Sequence, residues 1–232
     1  MRPWQHSLSS IKALKGSFQT QQDDWADVLK VHEFLDASKA GCADRRHRIV
    51  LHHCDLGAEV AARAFPDIAD LDQIVAQHVK EDLRCSAVFM DWLADVSQES
   101  LPRPVFRRIE KGPEAIAEMV LARCAGVNGI SPEMVLQFAA TVNEIAKFLW
   151  LPLEFAPSES PAVLSIFMNC VGPFIVRKVF GPPIITEVDG ARIVTDHGWI
   201  AEAVIMASFG RIPDLTEVIH AVSGEPGERM EF

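Results

Sequence analysis

Apolar residues recur at three- and four-residue spacing along most of this chain, and that period restricts it to a fold built from helices. Trp25, Val28, Leu29, His32 and Leu35 define one stripe, with aspartates in its first turn and Gly41 beyond its end, so a helix is expected from Asp23 or Asp24 to Lys39. Val135, Phe138, Ala139, Val142, Ile145 and Leu149 define another, opened by Ser131 as N-cap and Pro132 at the first helical position. Further helices are expected at about Asp44–Phe65, Leu71–Arg84, Phe89–Val96, Glu114–Cys124, Asp196–Phe209 and Asp214–Ser223. Gly57 falls inside the first of these. It costs that helix about 1 kcal/mol relative to alanine unless something needs close approach there. The most apolar run, Ala162 to Val176, contains Asn169, Gly172 and Pro173 and is too short to cross a bilayer, so it reads as a buried, kinked helix.

The period changes once. After Gly181-Pro182-Pro183, IITEVDGARIVT places two β-branched runs around Asp189-Gly190, the pattern of a hairpin near 184–195. Residues 74–97 also align weakly with 200–223. Ile74 meets Ile200, Leu83 meets Phe209, and Val96-Ser97 meets Val222-Ser223, while His78, Glu81 and Asp82 fall on Val204, Ala207 and Ser208. The expected fold class is therefore mainly α, a helical bundle of two degenerate repeats with one β-hairpin. Its parts are a histidine-rich helical repeat at 1–100, connecting helices at 101–160, the second repeat with the hairpin at 161–223, and a frayed charged tail at 224–232. The proline-rich PRPVFRRIEKGP at 102–113 marks the soft boundary.

Composition narrows the function. Hydrophobic residues make up 49% of the 232, enough for a substantial core. A net charge of −10 argues against nucleic acid or an anionic membrane as partner, because both demand a basic surface. The five cysteines are odd in number and form no CxxC pair. With no charged-then-apolar secretion pattern at the N-terminus, the chain reads as cytoplasmic. Tyrosine is absent, which excludes a tyrosine nucleophile.

What chemistry there is lies in the first half, which carries six of the eight histidines. His32 precedes Asp36, and His78 precedes Asp82, by four residues, so each imidazole shares a helix face with a carboxylate. Helical-bundle metal sites are made from such inward residues. The candidate ligands are His6, His32, Asp36, His47, His53 and His78. Mixed imidazole and carboxylate donors suit zinc, manganese or iron better than calcium. If the site is hydrolytic, Glu81 or Asp82 is the candidate base for a metal-activated water. No zincin motif, P-loop, dinucleotide fingerprint or nucleophile elbow is present, and HEFLD has Asp36 where a zincin needs its second histidine. Two readings stand side by side: a metal-dependent, hydrolase-like protein, and a non-enzymatic interaction or assembly protein whose histidines form a structural hydrogen-bond network. The second would act through a protein partner or as a homo-oligomer.

The phrases WQHSLSSIK (4–12), HEFLDASK (32–39), RHRIVLHH (46–53), QHVKEDL (77–83) and DWL (91–93) together resemble an uncharacterised family of small bacterial and phage-encoded domains. The second half, with VFGPPIIT, VDG and FGRIPDL, resembles the C-terminal part of the same family. The resemblance implies a mostly helical fold and a polar cluster at His6, His32, Asp36, Lys39, Arg46, His47, His53, His78 and Asp82. It implies no activity. The chain departs from the pattern in having RCSA at 84–87 in place of a Gly-Arg-Ile-Pro turn, and no hairpin in its first half.

Overall fold

The computed structural model describes residues 2–15, 22–94, 112–125, 130–156, 161–188, 191–220 and 226. Among these the chain is mainly helical, with one two-stranded antiparallel hairpin. In chain order the elements are α1 (Pro3–Lys15), α2 (Gln22–Leu35), two 3₁₀ turns at Asp36–Ala40 and Arg45–Val50, α3 (Leu56–Ala64), α4 (Leu71–Leu83) and α5 (Phe89–Leu93). Then come α6 (Pro113–Ala125), α7 (Pro132–Leu149), the short α8 (Pro152–Phe155) and α9 (Pro161–Ser165), and α10 (Gly172–Phe180). Strands β1 (Ile184–Val188) and β2 (Ala191–Thr195), α11 (His197–Phe209) and α12 (Leu215–Ile219) complete the order. Among the described residues no helix is long and apolar enough to cross a membrane.

The chain forms two compact units, one of residues 1–101, 155–157 and 215–232, the other of 102–154 and 158–214. In the first, α1 packs against α2 and α4, α3 packs against α2 and α4, and α12 covers the second 3₁₀ turn. Its core is Val31, Leu35, Ile49, Leu51, Leu56, Val75, Val79, Phe89 and Trp92, all but excluded from water. In the second, α11 packs against α6, α7 and α10, and β2 lies on α6. Phe148 stacks on Phe167 there, with centroids 5.6 Å apart.

Local signals explain several helix ends. The Ser131 hydroxyl accepts from Met134 N at 3.2 Å, and Asp196 accepts from Gly198 N at 2.7 Å, so each helix opens with one orphan amide satisfied. Arg84, at φ 59°, closes α4 in the left-handed region. In the hairpin Ile184 faces Thr195 and Glu187 faces Arg192. The turn expected at Asp189-Gly190 lies outside the described residues, as do most of the 102–113 boundary and the 224–232 tail.

Two expected helices are each interrupted. The helix expected over Asp44–Phe65 is a 3₁₀ turn, an irregular stretch at Leu51–Asp55 and then α3. Tertiary bonds hold the stretch open: Cys54 N donates to Ala87 O at 2.8 Å, Trp92 Nε1 donates to His52 O at 3.1 Å, and Phe89 N donates to Asp55 Oδ1 at 2.9 Å. Gly57 lets the Leu51 carbonyl close in, since a Cβ there would stand 2.2 Å from Leu51 O. The run Ala162–Val176 is likewise split between α9 and α10. Asn169 bridges the break, donating to Ser165 O and Ile166 O and accepting from Val171 N.

Candidate metal centre

The interruption after Val50 decides which histidine meets His78 and Asp82. A continuous helix would carry His47 and His53 at its edges; the irregular stretch instead turns His52 into the core beneath α4. From α4, His78 and Asp82 reach the same place, one helical turn apart. Asp36, at the first position of the 3₁₀ turn that continues α2, reaches it from a third direction. One donor atom from each of Asp36, His52, His78 and Asp82 lies within 4.8 Å of the other three.

The distances suit an ion. Four ligands held tetrahedrally at about 2.1 Å from a metal stand about 3.4 Å from one another. His52 Nε2 is 3.0 Å from His78 Nε2, 3.2 Å from Asp82 Oδ2 and 3.8 Å from Asp36 Oδ1, and His78 Nε2 is 3.8 Å from Asp82 Oδ2. These separations bracket the ideal. The centre is closed to solvent, for both imidazoles are fully buried and the two carboxylate side chains are 7% and 3% exposed.

The two carboxylates are treated differently by their surroundings. Asp82 is held by Arg48 Nη2 at 3.0 Å and His6 Nε2 at 3.2 Å as well as by His52. Burial would raise its pKa, but the hydrogen bond from His52, the adjoining His6 and the Arg48 charge outweigh that and keep it well below the usual carboxylate range. Asp36 has no such support. Neither of its buried oxygens has a hydrogen-bond partner among the described residues.

The imidazoles are mostly neutral. Burial foremost pushes His32, His47 and His53 down to about 3 and His78 well below its ordinary value. His52 is also lowered by burial, against the opposing pull of Asp82. His6 moves the other way, because the adjoining Asp82 and the hydrogen bond to Glu81 overcome its desolvation. Neutral imidazoles beside an ionised Asp82 are in the protonation state that metal binding requires.

The remaining candidates lie around this group of four. His32 Nδ1 stands 2.7 Å from His78 Nδ1, and His32 Nε2 stands 3.0 Å from Ser10 Oγ. His6 Nδ1 meets Glu81 Oε2 at 2.6 Å, and Glu81 also accepts from Gln77 Nε2 at 2.6 Å. His47 is turned to Ser38, whose hydroxyl donates to the His47 carbonyl at 3.1 Å and lies 2.8 Å from His47 Nδ1. His53 packs edge-on against Phe89, with ring centroids 5.0 Å apart, and against Trp92. Arg46 pairs with Asp44 at 2.6 Å, and Lys39 is exposed. Helical spacing leaves His52 out of the candidate ligands and makes Asp82 a candidate base. The available signal was Asp55 directly before Leu56-Gly57-Ala58, which marks a fresh helix start and breaks the assumed helix beside His52.

Residues 1–101 match the family model described as a domain of unknown function (DUF6915). Every side chain of the cluster falls inside that stretch, and residues 102–232 fall outside it. No curated protein and no solved structure matches the chain.

Proposed function

We propose that the protein binds one divalent transition-metal ion between Asp36, His52, His78 and Asp82. The observation that carries this reading is Asp36, a buried carboxylate with neither oxygen hydrogen-bonded among the described residues. An uncompensated buried carboxylate is costly, and an ion between it and two neutral imidazoles removes the cost. Two imidazole nitrogens with two carboxylate oxygens suit zinc, iron or manganese.

The burial of all four donors favours an ion that ties the end of α2, the stretch after the second 3₁₀ turn and α4 together, over one open to a substrate. Four protein ligands closing the shell are the usual pattern of a structural site. For the hydrolase-like reading, Asp82 already faces the ion and Glu81 is taken up by His6 and Gln77, so neither stands beside an open coordination position.

The proposal includes a second half built on the same plan without the ligands. α1 and α6 each run thirteen residues from a proline, α3 and α10 nine, α4 and α11 thirteen, α5 and α12 five. Cys54 N bonds to Ala87 O and Cys170 N to Pro213 O, and Gly57 and Gly172 both sit against a carbonyl a few residues upstream. On this correspondence His78 and Asp82 fall on Val204 and Ser208. One site per chain is then expected.

Metal analysis of tag-free protein reconstituted separately with zinc, manganese and iron tests the proposal. One equivalent in the parent and little in Asp36→Asn supports it. Well below one equivalent in the parent for all three metals overturns it, and leaves the histidines as a hydrogen-bonded packing network.

A further inference from the structure

His32 was a ligand candidate on spacing, yet its ring lies behind His78, not beside the other three donors. A neutral imidazole carries one N–H and one lone pair, so a hydrogen bond between two of them fixes both tautomers once either is known. His78 presents Nε2 to His52 and to the carboxylates. If that nitrogen is the ligand, it must offer its lone pair, and the proton stands on Nδ1. His78 Nδ1 is 2.7 Å from His32 Nδ1, which therefore accepts. The His32 proton is then on Nε2, 3.0 Å from Ser10 Oγ, and is donated to it. The line runs from α1 through α2 to α4, and His32 and Ser10 are fully buried along it.

We propose that His32 and Ser10 are outer-sphere positioning residues that hold His78 in the tautomer and orientation in which its Nε2 binds the metal. This inference rests on the metal reading above. It follows from the same chemistry by which metal-bound histidines donate their second N–H to a fixed acceptor, which raises the basicity of the ligating nitrogen. The metal-free protein is already set for it. His52 Nε2 lies between Asp82 Oδ2 at 3.2 Å and His78 Nε2 at 3.0 Å, so a proton on His52 Nε2 serves both, and His78 Nε2 stays unprotonated before any ion arrives.

The test uses the full chain, zinc affinity by competition with a chromophoric chelator, and imidazole nitrogen shifts by NMR. In metal-free protein His78 should carry its proton on Nδ1. His32→Leu, which removes the acceptor, should weaken zinc binding 10–100-fold. His32→Gln, whose amide oxygen can accept, should recover part of the loss, and Ser10→Ala should lose less than His32→Leu. Cobalt-substituted protein should show altered d–d bands in His32→Leu while its far-UV circular dichroism matches the parent. Finding the His78 proton on Nε2, or zinc affinity in His32→Leu within threefold of the parent, overturns the proposal alone. A parent protein that takes up no ion overturns the metal reading and this proposal with it.

Discussion

Gly57→Ala tests the account of how the chain is broken beside His52. An alanine Cβ at this position would stand 2.2 Å from Leu51 O and 3.2 Å from Leu51 C, and the nearest ordinary carbon–oxygen contact is about 3.3 Å. The carbonyl belongs to backbone and cannot rotate aside, so α3 and the Leu51 peptide must part by about 1 Å. Overpacking of this kind costs about 1–3 kcal/mol, and the gain from putting alanine into a helix in place of glycine is about 1 kcal/mol. A net loss of up to about 2 kcal/mol is expected. Urea unfolding gives the total, and hydrogen exchange over residues 49–60 shows that the loss is local. Zinc binding should weaken as well, because the displaced peptide immediately precedes His52. Gly172→Ala should behave alike in stability, its Cβ standing 1.9 Å from Phe167 O. A Gly57→Ala protein that is more stable by the helix-propensity gain alone would refute the reasoning, since it would mean that Leu51 O does not occupy that space.

Asp36→Asn should abolish metal uptake while leaving the metal-free protein as stable as the parent or more so, because it removes an uncompensated charge; a large loss of metal-free stability in thermal melts would contradict that account. Acid should unfold the metal-free N-terminal unit. His32, His47 and His53 fall to about 3 from an unfolded value near 6.5, so their stabilisation is complete above pH 6.5 and is lost as pH falls toward 3. At pH 5 that amounts to about 2 kcal/mol each, or about 6 kcal/mol together, to be read from urea titrations at pH 7.5 and 5.0. The raised pKa of His6 acts in the opposite sense, with its contribution complete below the unfolded value and lost as pH rises through the folded one. Zinc at a hundred times its dissociation constant should add about 2.7 kcal/mol to the parent and nothing to Asp36→Asn, measured as the shift in urea midpoint. Ser131→Ala should cost about 1 kcal/mol, confined to hydrogen exchange near the start of α7.

The helices were legible where a local signal sufficed. Ser131-Pro132 announces α7, the apolar period carries α4 and α11 to their ends, and the β-branched runs around 189–190 give the hairpin. Sequence lost the thread where tertiary bonds overrule local preference. Leu51, His52, His53 and Cys54 contain no glycine or proline, and the bonds that open them come from Ala87, Phe89 and Trp92, more than thirty residues further on. The same break explains the centre. His78 with Asp82, and the neighbouring Asp36, were found by four-residue spacing because they stand on or next to real helices. His52 stands on none, so helical spacing pointed to its neighbours His47 and His53.

Asp36 and Asp82 are 46 residues apart along the chain (82 − 36), and an ion shared between them closes that length into a ring. A covalent cross-link over such a loop removes about 4 kcal/mol of freedom from the unfolded chain. Among the described residues of this protein there is no disulfide. A shared ion would be its staple, one that a chelator can draw and a metal salt can drive back in.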